Sequence, residues 1–76
     1  MKTVFVRLST IESIRDFVST VLSFDYDIDL RSGRYLIDAK SIMGIFSLDL
    51  LNPIELIAHT DSPEALIEKL QKYIVK

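Results

Sequence analysis

Apolar residues recur along this chain first with a period of two, then of three to four, and each switch of period marks a boundary between elements. Over residues 3–8, Val4, Val6 and Leu8 alternate with Thr3, Phe5 and Arg7, which predicts a half-buried first strand. Ser9-Thr10-Ile11-Glu12 then has the form of a capping box, with the Ser9 hydroxyl placed to accept the Glu12 amide and the Glu12 carboxylate placed to reach back. The helix that follows gathers Ile11, Ile14, Phe17, Val18, Val21 and Leu22 on one face and turns Arg15, Asp16 and Ser19 outward.

From Asp25 the period returns to two. Tyr26, Ile28 and Leu30 share one side of a second strand, and Asp25, Asp27 and Asp29 the other. Arg31-Ser32-Gly33-Arg34 supplies a turn in which Gly33 can take positive φ, and Tyr35-Leu36-Ile37-Asp38 returns as the third strand of a hairpin. Ser41 is placed to cap a short helix through about Leu48, and Asn52-Pro53 breaks the chain. Ile54, Leu56 and Ala58 then alternate with Glu55, Ile57 and His59 as a fourth strand. Ser62 as N-cap and Pro63 at the first helical position predict a last helix that carries Leu66, Leu70, Tyr73 and Ile74 inward. In it Glu68 would pair with Lys72, and Lys72 and Lys76 would lie at the negative end of the dipole. Four strands and three helices that must share one apolar sheet face imply a two-layer α+β sandwich.

Length and composition fit one small domain spanning residues 1–76. At this size folding hides only roughly 60% of the surface of the unfolded chain. A content of 49% hydrophobic residues with only two glycines compensates and excludes disorder. There is no cysteine, so disulfides and thiolate chemistry are out of reach. The start Met1-Lys2-Thr3-Val4-Phe5 lacks the features of a signal peptide, and no apolar run is long enough to span a bilayer, so the expected location is the cytoplasm. Nine basic against eleven acidic residues leave a net charge of −2, which offers no broad attraction to nucleic acid or anionic membrane.

Few residues suggest chemistry. Asp25, Asp27 and Asp29 formally resemble an oxygen-ligand site. A strand, however, spaces alternate side chains ~7 Å apart, too far to close on one ion. A solvated face with cross-strand partners such as Arg7 is the better reading. His59 is the single histidine, near the end of a strand with no glycine-rich loop or basic cluster beside it, and reads as a surface residue. Without a second histidine or any cysteine, catalytic triads and zinc sites are excluded. Nothing in the sequence calls for a cofactor or points to an enzyme.

The segment Ala39-Lys40-Ser41-Ile42-Met43-Gly44-Ile45-Phe46-Ser47-Leu48 differs in kind. Ile42, Met43, Ile45 and Phe46 are more apolar bulk than one face of a two-turn helix can bury, so part of it must be exposed. Exposed methionine and aromatic side chains suit a binding surface. Taken alone, Ser41 reads as an N-cap.

At these residues the chain resembles the HPr family, the small phosphocarriers of the sugar phosphotransferase system. Ala39 to Leu48 is similar to the regulatory-serine segment of firmicute-type members, and the likeness extends more weakly through Ile54–Thr60 and Glu64–Tyr73. The resemblance implies the family's βαββαβα fold, an open-faced sandwich in which a four-stranded antiparallel sheet is covered on one face by three helices. It fails at the first helix. Family members begin that helix with a phosphate-accepting histidine followed by Ala-Arg-Pro, and here the stretch reads Glu12-Ser13-Ile14-Arg15-Asp16. Counting forward from Val6-Arg7-Leu8 puts Ser13 at the histidine and Arg15 at the arginine. Counting back from Tyr26-Asp27 puts Glu12 there instead. Neither residue can hold phosphate reversibly at the energy of a phosphohistidine.

A lost histidine with a retained serine segment resembles the Crh branch of the family, with Val6-Arg7-Leu8 and Glu68-Lys69-Leu70 as further points of likeness. That resemblance implies a regulatory protein of carbon catabolite control, with Ser41 phosphorylated by an HPr kinase/phosphorylase. It also implies a CcpA-like regulator as partner, met through Lys40, Ile42, Met43 and Phe46, with Arg15 available to help hold the phosphate. A phosphate at Ser41 would add about −1.5 to −2 charge at a helix N-terminus, where free amides tolerate it. Two other readings stay open: an HPr-like adaptor that is never phosphorylated, and a divergent phosphocarrier using His59 or an acidic residue.

Overall fold

The alternation of apolar residues becomes a single sheet because every strand can put its apolar side against the same helices. In the computed structural model, which describes residues 1–75, the elements are β1 (Lys2–Val6), α1 (Ile11–Leu22), β2 (Ile28–Ser32), β3 (Tyr35–Asp38), α2 (Ile42–Phe46), β4 (Ile54–Ala58), α3 (Glu64–Lys69) and β5 (Ile74–Val75). The sheet is antiparallel throughout, in the order β3-β2-β4-β1-β5. It therefore has five strands, where the sequence predicted four.

Register decides the two faces. Val6 lies opposite Ile54, Val4 opposite Leu56, and Leu30 opposite Leu56, so these side chains point together toward the helices. Phe17 and Val21 of α1, Ile45 of α2 and Leu66 of α3 meet them in one fully buried cluster. The other face, carrying Thr3, Phe5, Asp29, Arg31, Glu55 and Ile57, is open. Charge on it is paired across strands: the Arg31 Nε donates to the Glu55 Oε1 at 2.7 Å, and the His59 Nε2 lies 2.7 Å from the Asp29 Oδ2. The cross-strand role toward the aspartates expected of Arg7 thus falls to His59, at Asp29 alone, and the Arg7 amide instead donates to the Tyr73 carbonyl at 2.8 Å.

Helix ends depart from expectation by a residue. The first strand ends at Val6 and not at Leu8, which is fully buried two residues further on, and Thr10 in place of Ser9 is the N-cap of α1. The capping box is Thr10 with Ser13: each hydroxyl accepts the other residue's amide, both at 3.0 Å, and Glu12 takes no part. Before α3, the Thr60 hydroxyl accepts the Ser62 amide at 3.1 Å and closes a turn. Ser62 is thereby withdrawn from capping, and Pro63 occupies the cap position without a side-chain bond. Between β2 and β3, Gly33 has φ 61° and no other described residue has positive φ, the sign pattern of a II′ hairpin turn.

The largest departure lies at the C-terminal end. The periodicity of Leu70, Tyr73 and Ile74 predicts a continuing helix, but α3 ends at Lys69. Leu70 stays fully buried, and the chain turns so that Val75 and Ile74 pair with Phe5 and Val6. That ladder covers an edge of β1 that would otherwise be bare. Asp16 of α1 holds the new path. It accepts the Tyr73 hydroxyl proton and lies 3.0 Å from the Lys72 Nζ, so Lys72 pairs with Asp16 and not with Glu68. The Tyr73 ring meets Phe17 edge-on at 6.2 Å.

Two predictions follow from these contacts. The Tyr73 hydroxyl, and after it Lys72, hold the Asp16 carboxyl below its ordinary value of 3.8. A lowered folded-state value stabilises above the ordinary value and is lost as pH falls through it and on through the lowered one. Asp16→Asn should therefore flatten the acid limb of a stability–pH profile obtained by urea titration, relative to wild type. Separately, the Tyr26 hydroxyl is buried and has no hydrogen-bond partner among the described residues. Because an unsatisfied buried hydroxyl costs about 1–3 kcal/mol, Tyr26→Phe should raise the urea midpoint or leave it unchanged, where most core substitutions lower it.

Candidate functional site

The turn from β3 into α2 is built by hydrogen bonds that the residues of this segment make locally. Asp38 accepts twice, its Oδ1 from the Lys40 amide at 2.9 Å and its carbonyl from the Ser41 amide at 3.0 Å. Ser41 then caps α2, its hydroxyl accepting the Gly44 amide at 3.2 Å and its carbonyl the Ile45 amide at 3.1 Å. Ser47 closes the other end, donating its hydroxyl to the Gly44 carbonyl at 2.6 Å. The helix is a single turn and a half, shorter than the span to Leu48 read from the sequence.

Gly44 sets how closely this turn lies on the sheet. A Cβ at that position would come within 3.1 Å of the Ile37 Cδ1 and 3.3 Å of the Ser41 Oγ, so a side chain there would press on both β3 and the cap. With α2 seated in this way, Ile45 is fully buried and Ile42 packs against the core. Met43 and Phe46 are left outside, 78% and 45% exposed. The apolar excess of the segment is therefore resolved into an inward pair and an outward pair, and Ser41 is exposed beside the outward one.

Lys40 behaves differently from its neighbours. Its Nζ donates to the Phe24 carbonyl at 2.8 Å and the Tyr26 carbonyl at 3.1 Å, so the ammonium satisfies backbone acceptors in the loop after α1. That clasp ties the segment to the end of the first helix and takes up the charge that a partner would otherwise meet. Arg15 stands exposed on α1. Glu12 is exposed in the first turn of α1, and the Ser13 hydroxyl is committed to the cap, donating to the Thr10 carbonyl at 2.8 Å as well as accepting the Thr10 amide.

His59 is remote from the start of α1. It follows Ala58, which lies opposite Lys2 at one end of β1, whereas α1 follows Val6 at the other end. Its ring is held by Asp29, and its amide donates to the Asp27 carbonyl at 3.0 Å. No helix among the described residues is long and apolar enough to cross a membrane.

The geometry agrees with what comparison finds. Residues 13–76 match the family described as the PTS HPr component phosphorylation site. The chain belongs to the HPr family. Its fold is similar to the crystal structure of HPr-C-His from Thermoanaerobacter tengcongensis, with a TM-score of 0.80 and 30% identity over 95% of this chain and 89% of that one. It is also similar to the phosphocarrier protein HPr from Bacillus anthracis str. Ames, with a TM-score of 0.72 and 29% identity over 95% of this chain and 93% of that one. No curated protein sequence matches. By that membership the chain is part of the HPr phosphocarrier family of the phosphotransferase system.

Within this HPr-family chain the two kinds of residue around Ser41 should separate by experiment. Lys40→Met removes two hydrogen bonds from a charged donor and should lower stability by about 1.5–3 kcal/mol. Met43→Ala removes an exposed side chain and should change stability by no more than about 0.5 kcal/mol. Urea denaturation of both variants against wild type measures the difference.

Proposed function

We propose that this HPr-family chain has no part in phosphorelay and is a serine-regulated binding protein of the Crh type, switched at Ser41 and acting through Met43 and Phe46. The observation that carries the reading is the exposed Ser41 hydroxyl beside two exposed apolar side chains, in a chain whose single histidine is held by Asp29 away from α1. The Lys40 clasp and the inward packing of Ile42 narrow the partner surface to Met43 and Phe46, with Lys40 and Ile42 holding it in place.

Helix physics supports a third reading of the position that replaces the family histidine, beside Ser13 and Glu12. Proline is tolerated in the first turn of a helix, where amides have no intrahelical partner, and breaks the interior. The Ile14 amide already donates to the Thr10 carbonyl at 3.0 Å. A His-Ala-Arg-Pro sequence beginning at Ser13 would put its proline at Asp16, and one beginning at Glu12 would put it at Arg15, both inside α1. Beginning at Thr10, it would put the proline at Ser13, in the first turn. We therefore assign the place of the histidine to Thr10, that of the arginine to Glu12 and that of the proline to Ser13. In this register the acceptor is replaced by a threonine that caps the helix, and Arg15 is left with exposure alone as support for a role in holding the phosphate.

Phosphorylation would extend three acceptor oxygens from Ser41 into solvent next to Met43, adding charge to a surface that is otherwise apolar. An HPr kinase/phosphorylase would supply the phosphate and a CcpA-like regulator would read it. Incubation with HPr kinase/phosphorylase and ATP should add one phosphate by intact mass, and Ser41→Ala should add none. Enzyme I and phosphoenolpyruvate should leave the chain unlabelled. Label on His59 would support a phosphocarrier instead, and binding of a regulator by a chain that the kinase leaves unmodified would support a plain adaptor.

A further inference from the structure

The two edges of the sheet are not alike. On one side β5 is only two residues long, which leaves little ladder for another chain to join. On the other, β3 pairs with β2 along one side only, and its Tyr35 and Leu36 are 64% and 59% exposed. No lysine, proline or bulge interrupts Tyr35-Leu36-Ile37, the devices by which free edges are usually blunted.

The hairpin determines which backbone groups are free. Ser32 and Tyr35 flank a two-residue turn and lie opposite each other, so the amide and carbonyl of Tyr35 face β2 and those of Leu36 face outward. Asp38 stands two residues on, in the same phase. The charges flanking this edge have opposite sign, Arg34 before it and Asp38 after it, with Leu36 midway. Arg34 makes no salt bridge among the described residues, and Asp38 is exposed.

We propose that the β3 edge is a self-pairing site whose occupant is the same edge of a second copy of this chain, related by a two-fold axis midway between the two Leu36 residues. In that antiparallel register Leu36 lies opposite Leu36 of the second copy, and their outward amides and carbonyls exchange two hydrogen bonds. Tyr35 lies opposite Ile37, and Arg34 opposite Asp38, each pair occurring twice by symmetry. The register aligns the free backbone groups of the two Leu36 residues and sets opposite charges beside each other, although the Asp38 carbonyl is already taken by the Ser41 amide and its Oδ1 accepts the Lys40 amide. A shift of two residues either way would lose the Leu36 pair and both charge pairs. The two sheets join into one with the helices of both copies on the same side, because the axis is perpendicular to the sheet. The seam then runs beside α2, which rests on β3 through Gly44 and Ile37.

Sedimentation equilibrium tests this, because the chain mass is 8.7 kDa and a weak dimer shows as a weight-average mass that rises with concentration. Arg34→Glu should weaken association by about tenfold, since two attractive cross-strand charge pairs become repulsive. Arg34→Glu with Asp38→Lys should restore it, and far-ultraviolet circular dichroism and thermal melts should show all three proteins folded. The absence of native cysteine allows a second test. In a hydrogen-bonded antiparallel pair the Cα atoms are about 5.5 Å apart, within the ~4.4–6.8 Å range that a disulfide spans. Leu36→Cys should therefore cross-link into a dimer on mild oxidation, and Leu22→Cys, equally exposed on α1, should do so far more slowly. A mass that stays at the monomer value through millimolar concentration would overturn the proposal. So would association that Arg34→Glu leaves unchanged, or equal cross-linking of the two cysteine variants.

Discussion

Ile54, Leu56 and Ala58 are fully buried along β4, the central strand, with β1 on one side and β2 on the other. Every other element depends on that strip of apolar surface staying dry. Its neighbours must match it in register, since a slip of one residue would turn Val4, Val6, Ile28 and Leu30 out to solvent. The helices contribute Phe17, Val21, Ile45 and Leu66 to the same cluster. In a chain this short no second core could make up for the loss. The opposite face of the sheet carries no such burden, and its charges are balanced locally by Arg31 with Glu55 and His59 with Asp29.

The constraint reaches the surface through α2. Because Ile45 and Ile42 are drawn toward the core and Gly44 lets the turn lie close to Ile37, the remaining two apolar side chains of α2 have nowhere inside to go. Met43 and Phe46 are exposed as the geometric remainder of packing a helix of one and a half turns. Lys40 locks the arrangement from below by holding the carbonyls of Phe24 and Tyr26. The same residues that make the segment fold thus create the surface on which the proposed regulation at Ser41 would act. The start of α1, by contrast, is sealed by two hydroxyl groups and presents no histidine.

The C-terminal segment shows how a weak local preference yields to a long-range one. Leu70, Tyr73 and Ile74 have helical spacing, and their own sequence favours continuing α3. Three contacts from elsewhere outweigh it: the Arg7 amide on the Tyr73 carbonyl, the Asp16 carboxylate on Tyr73 and Lys72, and the exposed edge of β1 beside Ile74 and Val75. None of these partners lies within sixty residues along the chain except through the fold, apart from Asp16, at a separation of 57 from Tyr73. A helix of six residues gains little from one further turn, so the tertiary contacts prevail.

By itself the sequence determined the order of β1 through α3, the apolar face of each, the turn at Gly33, the exposure forced on the α2 segment, and the kinship that Ala39 to Leu48 carries. These are legible because they depend on periodicity and on bonds between near neighbours, which a linear reading contains. The structure decided the cap at Thr10 in place of Ser9, the fifth strand, the inward turn of Ile42, the commitment of Lys40 to backbone carbonyls, and the pairing of His59 with Asp29. Each of these depends on which distant group arrives beside a side chain able to make more than one bond. Lys40 and Asp16 could satisfy several partners equally well in an extended chain, and only the packed arrangement of helices on β4 selects among them.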